Sequence, residues 1–336
     1  MFAEVAMVAE LQGAMRKVIE ALMGAKRVVI TGHVKPDGDA LGSALALAGF
    51  LRGAGRDVLL TGIEPLPDDI RYVEGSDSVL RASKYKPQDG DLLCLVDHAS
   101  QDRMQMDLRP LYGTMPMAII DHHHPKNPYP TEAVYAIPDC SSTSELVWNL
   151  AQEAGWTLTL PIAEALWMGI ITDTNRFSYP STTPSTLRCA ASLLEMGVDS
   201  DRAANEAYNL VSMRRFHLRE RLERNVRLLC GGRLSIGHLL PEDYAAEGAT
   251  NADSNNFVDV PRFIRGVEVA AFVYPVDNGR KTCVSTRSAS DRYNVAEFCG
   301  RWGGGGHARA AGATLEKPVA QALPEIMEAL KAFVES

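Results

Sequence analysis

Through the first two hundred positions, short apolar runs alternate with longer segments of mixed character. The runs at 27–32, 57–61, 91–96 and 117–120 are strand-sized and apolar on both faces. Residues 38–54, 142–154, 161–171 and 184–196 place apolar side chains at helical spacing. This alternation predicts an α/β domain, a mostly parallel sheet with helices on both faces. The first 26 residues alternate polar and apolar in helical fashion and predict an amphipathic opening helix. Residues 202–230 are rich in Arg, Glu and Leu, and read as a solvated helix joining two domains. Beyond them, strands are expected at 233–239, 267–275 and 281–287. A glycine-rich turn (WGGGGHARAAG) and a last helix near 317–334 complete a smaller α+β domain. The expected division is 1–200, a helical linker at 201–230, and 231–336.

The polar clusters fall where such a sheet binds ligands. HVKPDGD follows the 27–32 strand, DHAS the 91–96 strand, and DHHH the 117–120 strand. In open parallel sheets, ligands sit beyond the carboxyl ends of the strands. Clusters far apart in sequence should therefore gather on one edge.

Their chemistry is that of a metal centre. His33, Asp37 and Asp39 lie within seven residues, and Pro36 and Gly38 favour an irregular loop that can aim all three at one point. A helix cap at residue 40 would need one aspartate and would leave His33 unexplained. Asp121-His122-His123-His124 sets three imidazoles beside a carboxylate that could orient a ring nitrogen. Asp97 follows LLCLV, and Asp173 lies in GIITDTNRF; each is weak alone. Together, Asp37, Asp39, Asp97 and Asp173 would repel one another unless about two divalent cations balanced them. Mixed carboxylate and imidazole donors suit Mn2+, with Mg2+ or Co2+ as alternatives. Paired ions about 3.5–4 Å apart activate a bridging water and stabilise a phosphoryl transition state.

At these residues the chain resembles the DHH phosphoesterase superfamily, named for the Asp121-His122-His123 signature. HVKPDGD matches the first motif, Asp97 the second, DHH the third and Thr172-Asp173-Thr174 the fourth. Ser285-Thr286-Arg287-Ser288, Gly303-Gly304-Gly305-Gly306-His307 and Ala310-Ala311-Gly312 resemble the associated DHHA1 domain. Within the superfamily the chain looks most like the NrnA-type nanoRNases, which also act as pAp phosphatases. The resemblance implies that His33 and Asp37 hold one metal, that Asp39, His122 and Asp173 hold the other, and that Asp97 bridges them. It implies that His123 faces the substrate phosphate, with Asp121 behind it. Arg287, Ser288, Gly304, Gly305, Gly306 and His307 would bind the rest of the nucleotide. The second domain would close over the substrate while a metal-bridging hydroxide attacks phosphorus in line.

Three departures stand out. Asn175 occupies a place where relatives often carry glycine. His98 and His124 are extra histidines beside family motifs, expected to face solvent, with a part in metal choice or substrate contacts as the alternative. Asn127 is the candidate for an asparagine that relatives carry shortly after DHH, displaced by one residue.

Bulk properties narrow the setting. At 336 residues, two domains are the better expectation. The N-terminus lacks the basic start of a signal peptide, and no apolar run approaches the roughly 18 residues of a membrane span. A cytoplasmic protein without membrane contact is expected. Cys94, Cys140, Cys189, Cys230, Cys283 and Cys299 form no CxxC pair, and reduced, mostly buried thiols are expected. A net charge of −8 argues against a partner such as long duplex DNA. Arginines cluster near the end of the chain, at 280, 287, 292, 301 and 309. Short RNA oligonucleotides or small nucleotide phosphates fit better as partners, and a homodimer is compatible. The rival readings are a cyclic-dinucleotide or linear dinucleotide (pApA, pGpG) phosphodiesterase and, from another class, a non-catalytic nucleotide sensor.

Overall fold

The computed structural model describes residues 2–67, 70–98, 100–124, 129–138 and 140–336, with side chains from Glu10 onward. Asn127 lies outside them. Five strands form one sheet: β1 (Arg27–Thr31), β2 (Asp57–Leu60), β3 (Asp91–Val96), β4 (Met117–Asp121) and β5 (Val134–Ala136). Their order is β2-β1-β3-β4-β5, and every pairing is parallel. All of β3 is buried, so its sequence is continuously apolar after Asp91 rather than alternating.

Val28, Ile30, Cys94, Val96 and Ile120 point to one face. There they pack against α1 (Phe2–Gly24), α2 (Gly38–Gly53), α3 (Thr143–Ala154), α4 (Leu160–Asp173) and α5 (Pro184–Glu195). Val29, Leu93, Leu95 and Ile119 point to the other. Short 3-10 turns and their flanks cover that face, through Ala82, Tyr85, Met104 and Leu108.

The strand order follows from crossover handedness. The chain leaves β1 through α2 to reach β2, then returns past β1 to reach β3. Keeping both crossovers right-handed sends them over opposite faces. The loops after β1 and β3 therefore diverge and leave a crevice at the carboxyl ends of these two strands. The amino ends are fastened instead. Arg27 donates to both oxygens of Asp91 (Nε to Oδ1 2.9 Å, Nη2 to Oδ2 2.7 Å), and the Tyr85 hydroxyl donates to Oδ2 at 2.7 Å.

The chain divides into two compact units, Met1–Leu210 and Val211–Ser336. The stretch 201–230 is not one continuous helix. It holds the end of α6 (Ser200–Ala204), a π turn (Asn205–Asn209), α7 (Met213–Arg224) and β6 (Arg227–Leu229). Leu218 and Leu222, one helical turn apart, give α7 an apolar stripe that is fully buried in the second unit.

The second unit continues through β7 (Leu234–His238), α8 (Pro241–Glu247), α9 (Asp259–Arg262), β8 (Val269–Val276) and β9 (Lys281–Ser288). It ends with α10 (Val295–Gly300), β10 (Gly305–His307), β11 (Ala310–Leu315) and α11 (Val319–Glu335). The sheet order is β10-β11-β9-β8-β7-β6, with only β7 and β8 parallel. The stretch read as a glycine-rich turn is the β10–β11 hairpin. One face of this sheet packs on α10 and α11 through Val284, Ala311, Ala313 and Leu315. The other packs Phe272 of β8 against Leu218, Leu222, Tyr244 and Phe257. Among the described residues, no helix is long and apolar enough to cross a membrane. All six cysteines are unpaired, three buried and three half-buried.

Candidate active site

The crevice at the ends of β1 and β3 gathers His33, Asp37, Asp39, Asp97, His122 and Asp173. Asp97 stands at the centre. Its Oδ2 is 3.2 Å from His33 Nε2, and its Oδ1 is 3.3 Å from His122 Nε2. His33 Nε2 is also 3.6 Å from Asp37 Oδ2. His122 Nε2 is 3.9 Å from Asp39 Oδ2 and 3.5 Å from Asp173 Oδ2. Two triads of ligand atoms result, His33–Asp37–Asp97 and Asp39–His122–Asp173. A third grouping, Asp97–His122–His123, shares members with both.

Each side chain is placed by an identifiable local cause. Asp37 caps α2, its Oδ1 accepting from the amides of Asp39 (3.1 Å) and Ala40 (3.0 Å). Its Oδ2 remains for the site, so cap and ligand are compatible readings of one residue. Asp39 is fully buried at the amino end of α3, accepting from Thr143 N–H (2.6 Å) and Ser144 N–H (2.9 Å). Helix amino termini favour negative charge there. This support comes from Ser141-Ser142-Thr143-Ser144, which sequence reasoning passed over. Its signal was the Ser142–Glu145 spacing of a helix start. Gly169 of α4 permits the approach: a Cβ there would fall 2.7 Å from Asp39 Oδ1 and 1.9 Å from Ser144 Oγ.

Asp97 adopts φ 61°, a left-handed conformation that costs a non-glycine residue about 1 kcal/mol or more. Burying each of Leu93, Leu95 and Val96 is worth about 1.5–3 kcal/mol, enough to hold that strain. The turn after Asp173 does the same at Asn175, Arg176 and Phe177, all at positive φ. Asn175 suits this backbone, which asparagine tolerates next best after glycine.

The donor set fits divalent cations. His33 Nδ1 lies 2.9 Å from the Val34 carbonyl and His122 Nδ1 lies 3.0 Å from the Cys140 carbonyl. Each Nδ1–H can donate there, which turns the Nε2 lone pair toward the carboxylates. Both Nε2 atoms are buried without a hydrogen-bond partner among the described residues. Such orphaned acceptors amid four aspartates are what a bound cation would satisfy.

Without a cation, protons do the balancing. Burial opposes charge on His33, but Asp37 and Asp97 outweigh it and push the ring up to about 10. Burial likewise opposes charge on His122, while Asp97, Asp173 and Asp39 hold it well above the ordinary value. Burial and then the neighbouring Asp97 push Asp39 up to about 7. Asp97 is buried too, yet His122 and His33 hold it well below the carboxylate range. Both histidines are thus protonated at pH 7 in the metal-free site, and ligation requires them neutral. Burial also holds Asp173 well above the carboxylate range, so Mn2+ binding at pH 7 is expected to release at least about two protons per chain, one from each histidine and more from Asp39 and Asp173, and to weaken as pH falls. Calorimetric titration in buffers of differing ionisation enthalpy counts them; a count near zero would contradict this proton balance.

His123 is engaged differently. Asp121 Oδ1 accepts from the His123 backbone N–H at 3.1 Å and stands 2.8 Å from Nδ1. Asp97 Oδ1 is farther from the same Nδ1, at 3.7 Å. The shorter contact fixes the ring on Asp121, and we read His123 as a group facing substrate rather than as a ligand. Arg103 Nη1 lies 3.5 Å from His123 Nε2, and the Arg103 carbonyl accepts from Val34 N–H at 2.7 Å, tying it to the first motif. The sequence offered no signal for Arg103, which lies in a 3-10 turn. His98 corrects an expectation. It is 1% exposed, not solvent-facing, because it follows the buried β3 and turns Nδ1 toward the Val96 carbonyl at 3.2 Å. Burial pushes its ring down to about 4. His124 is exposed.

Comparison with known proteins gives this centre a lineage. The model of the DHH family, N-terminal domain, matches residues 27–170, and that of the DHHA1 domain matches 242–336. The bifunctional oligoribonuclease and PAP phosphatase NrnA of Thermus thermophilus is 33% identical over 94% of this chain and 93% of its own length. The chain belongs to the DHH–DHHA1 phosphoesterase family. NrnA of Bacillus subtilis is 28% identical, over 86% of this chain and 89% of that protein. An exopolyphosphatase-related protein from Bacteroides fragilis superposes with a TM-score of 0.89 at 26% identity, covering 96% of each chain. This phosphoesterase is accordingly an enzyme that hydrolyses phosphoester bonds.

The DHHA1 motifs fall on one end of the second sheet. Arg287 of β9 pairs with Ala310 of β11, which pairs with His307 of β10. Directly paired residues share a face, so Arg287 and His307 flank a small alanine on the same side. Ser285 and Gly305 form the next row on that face, joined through Gly312. Ser288 points to the opposite face, buried, its hydroxyl donating to the Ser290 carbonyl at 2.6 Å. The strand alternation therefore groups Ser285, not Ser288, with Arg287.

The glycines separate as well. A Cβ on Gly304 would fall 2.3 Å from the Gly312 carbonyl oxygen, and one on Gly306 would fall 2.4 Å from that of Ala310. These two serve the hairpin. A Cβ on Gly305 would meet nothing within 4 Å, and its exposed backbone lies on the outer edge of the sheet.

Proposed function

We propose that this phosphoesterase hydrolyses short oligoribonucleotides to mononucleotides and pAp to AMP, using two divalent ions with Mn2+ preferred. The observation that carries the reading is Asp97, whose two carboxylate oxygens face the two histidine-led triads separately. His33 and Asp37 would hold one ion, Asp39, His122 and Asp173 the other, with Asp97 common to both. When bound, the ions lower the pKa of a water molecule and neutralise the phosphate oxygens.

The chain's own residues do the rest. The α3 amides keep the Asp39 carboxylate fixed while charge changes around it. The new bond forms between the attacking oxygen and phosphorus, the ester P–O bond breaks, and the leaving oxygen takes a proton. His123, oriented by Asp121, is placed to give that proton. Arg103 supplies a guanidinium beside it for the phosphate. Arg287, His307 and the Gly305 backbone would hold the remainder of the nucleotide; Ser288 would act only by shaping the loop under them. We infer action in the cytoplasm on small nucleotide substrates.

A substrate panel tests the reading. The purified protein with Mn2+, Mg2+ or Co2+ is expected to release mononucleotides from two- to five-residue RNAs and phosphate from pAp. Turnover of pApA or pGpG at rates far above other dinucleotides would favour the dinucleotide alternative. Full activity after exhaustive chelation would overturn the metal assignment.

A further inference from the structure

Phe263 is 65% exposed, and the Arg262 guanidinium stands 5.3 Å from its ring centroid. Large apolar rings are common on surfaces, so exposure alone says little. Its placement says more. Phe263 directly follows α9, which packs on β7 and β8 beside the Phe257–Phe272 cluster. Phe272 pairs with Ser285, and Ala270 with Arg287. Phe272, Ser285 and Arg287 therefore share one face of the sheet, and α9 with Phe263 lies over that same face.

The loop from Phe263 then descends to Val269, which pairs with Ser288 at the Arg287 end of β9. Ala289 N–H donates to the Glu268 carbonyl at 2.8 Å, tying this loop to the segment after β9. At this end of β9, Arg287 is joined by Arg309, whose carbonyl accepts from Ser288 N–H, and by Arg292, which stands 3.9 Å from Glu268. Asp291 is engaged by the Arg309 fork at 2.7 and 2.9 Å, and Asp259 stands 3.4 Å from Arg262. Arg265 is exposed and has no ion-pair partner among the described residues.

From this arrangement we propose that Phe263, backed by Arg262, is a stacking platform for a nucleobase of single-stranded RNA, on the sheet face that also carries Arg287. An aromatic ring among arginines is suited to a base and its phosphate, and tolerates any base because every base offers a π face. The platform rests on the oligoribonucleotide reading above and extends it. It would engage a base of a longer substrate that pAp, with its single nucleoside, does not have. Chain length of the substrate, rather than phosphate chemistry, would then depend on Phe263.

The test is made by binding, so that it does not depend on hydrolysis. Fluorescence anisotropy with a labelled pentaadenylate, in chelator, compares the full-length wild type with Phe263→Ala and Phe263→Trp. Phe263→Ala is expected to raise Kd about 5- to 20-fold, the usual effect of losing one base stack, and Phe263→Trp to retain wild-type affinity. The Kd of unlabelled pAp, measured by competition, should be unchanged in both variants. Equal pentaadenylate affinity in wild type and Phe263→Ala overturns the platform. So does a parallel loss for pAp, which would mark a role in folding. A wild type that binds through Phe263 yet hydrolyses nothing would sink the proposed activity and leave the platform standing.

Discussion

Asp97→Asn is expected to lower kcat/KM for every substrate by at least about 10^3-fold and to empty the centre of metal. Replacing an outer partner of a metal ligand typically costs 10- to 100-fold. Asp97 faces both triads at once, so its loss should exceed that range. Asparagine is the informative replacement because it tolerates the φ of 61° that Asp97 adopts. Alanine would lose activity equally but would add backbone strain. The fold should survive. In the metal-free protein, Asp97 is one of several buried carboxylates held by protonated His33 and His122. Metal content by mass spectrometry, kcat/KM and thermal midpoint in chelator, taken together, decide the matter. Near-normal hydrolysis by a folded Asp97→Asn protein would remove the central residue from the mechanism.

Arg287→Ala is expected to lower kcat/KM by about 10- to 100-fold while the bound metal stays at wild-type level. A hydrogen bond to a charged group is worth about 1.5–3 kcal/mol, and each 1.4 kcal/mol is about tenfold. Arg287→Lys should recover only part, since an ammonium cannot reproduce the planar fork. Metal content discriminates the causes. Arg287 belongs to the second unit, whose sheet and core are separate from the residues around Asp97. A simultaneous loss of metal and activity would mean that Arg287 supports folding rather than substrate.

Much of this enzyme is readable in its sequence. The buried run LLCLV could only be an interior strand, and Asp97 after it had to emerge at a strand end. HVKPDGD and DHH were legible because ligand-type residues crowd there at spacings that core packing does not produce. The helices expected at 38–54 and 184–196 announced themselves through apolar periodicity and are found at Gly38–Gly53 and Pro184–Glu195. Other features carried no such mark. β5 is three residues long, too short for any alternation to register. That the helix Met213–Arg224 is packed rather than solvated depends on Leu218 and Leu222 finding a core in the second unit, while the charged residues between them suggested a solvated helix. Ser288 was expected to bind substrate beside Arg287, but β9 runs on through Ser288, and its alternation turns Ser288 to the opposite face and sets Ser285 with Arg287.

The sequence by itself determined the inventory: which side chains can bind a cation, which segments are strands, and that each cluster follows a strand end. Only the tertiary structure decided the geometry. Right-handed crossovers to opposite faces part the loops after β1 and β3 and bring Asp97 between His33 and His122. The amides of a helix starting at residue 143 hold Asp39, and Gly169 lets that helix come close enough to do so. Local sequence can specify what a residue offers, because chemistry is carried by the side chain. Convergence belongs to the packing, because it depends on how distant segments share one buried volume.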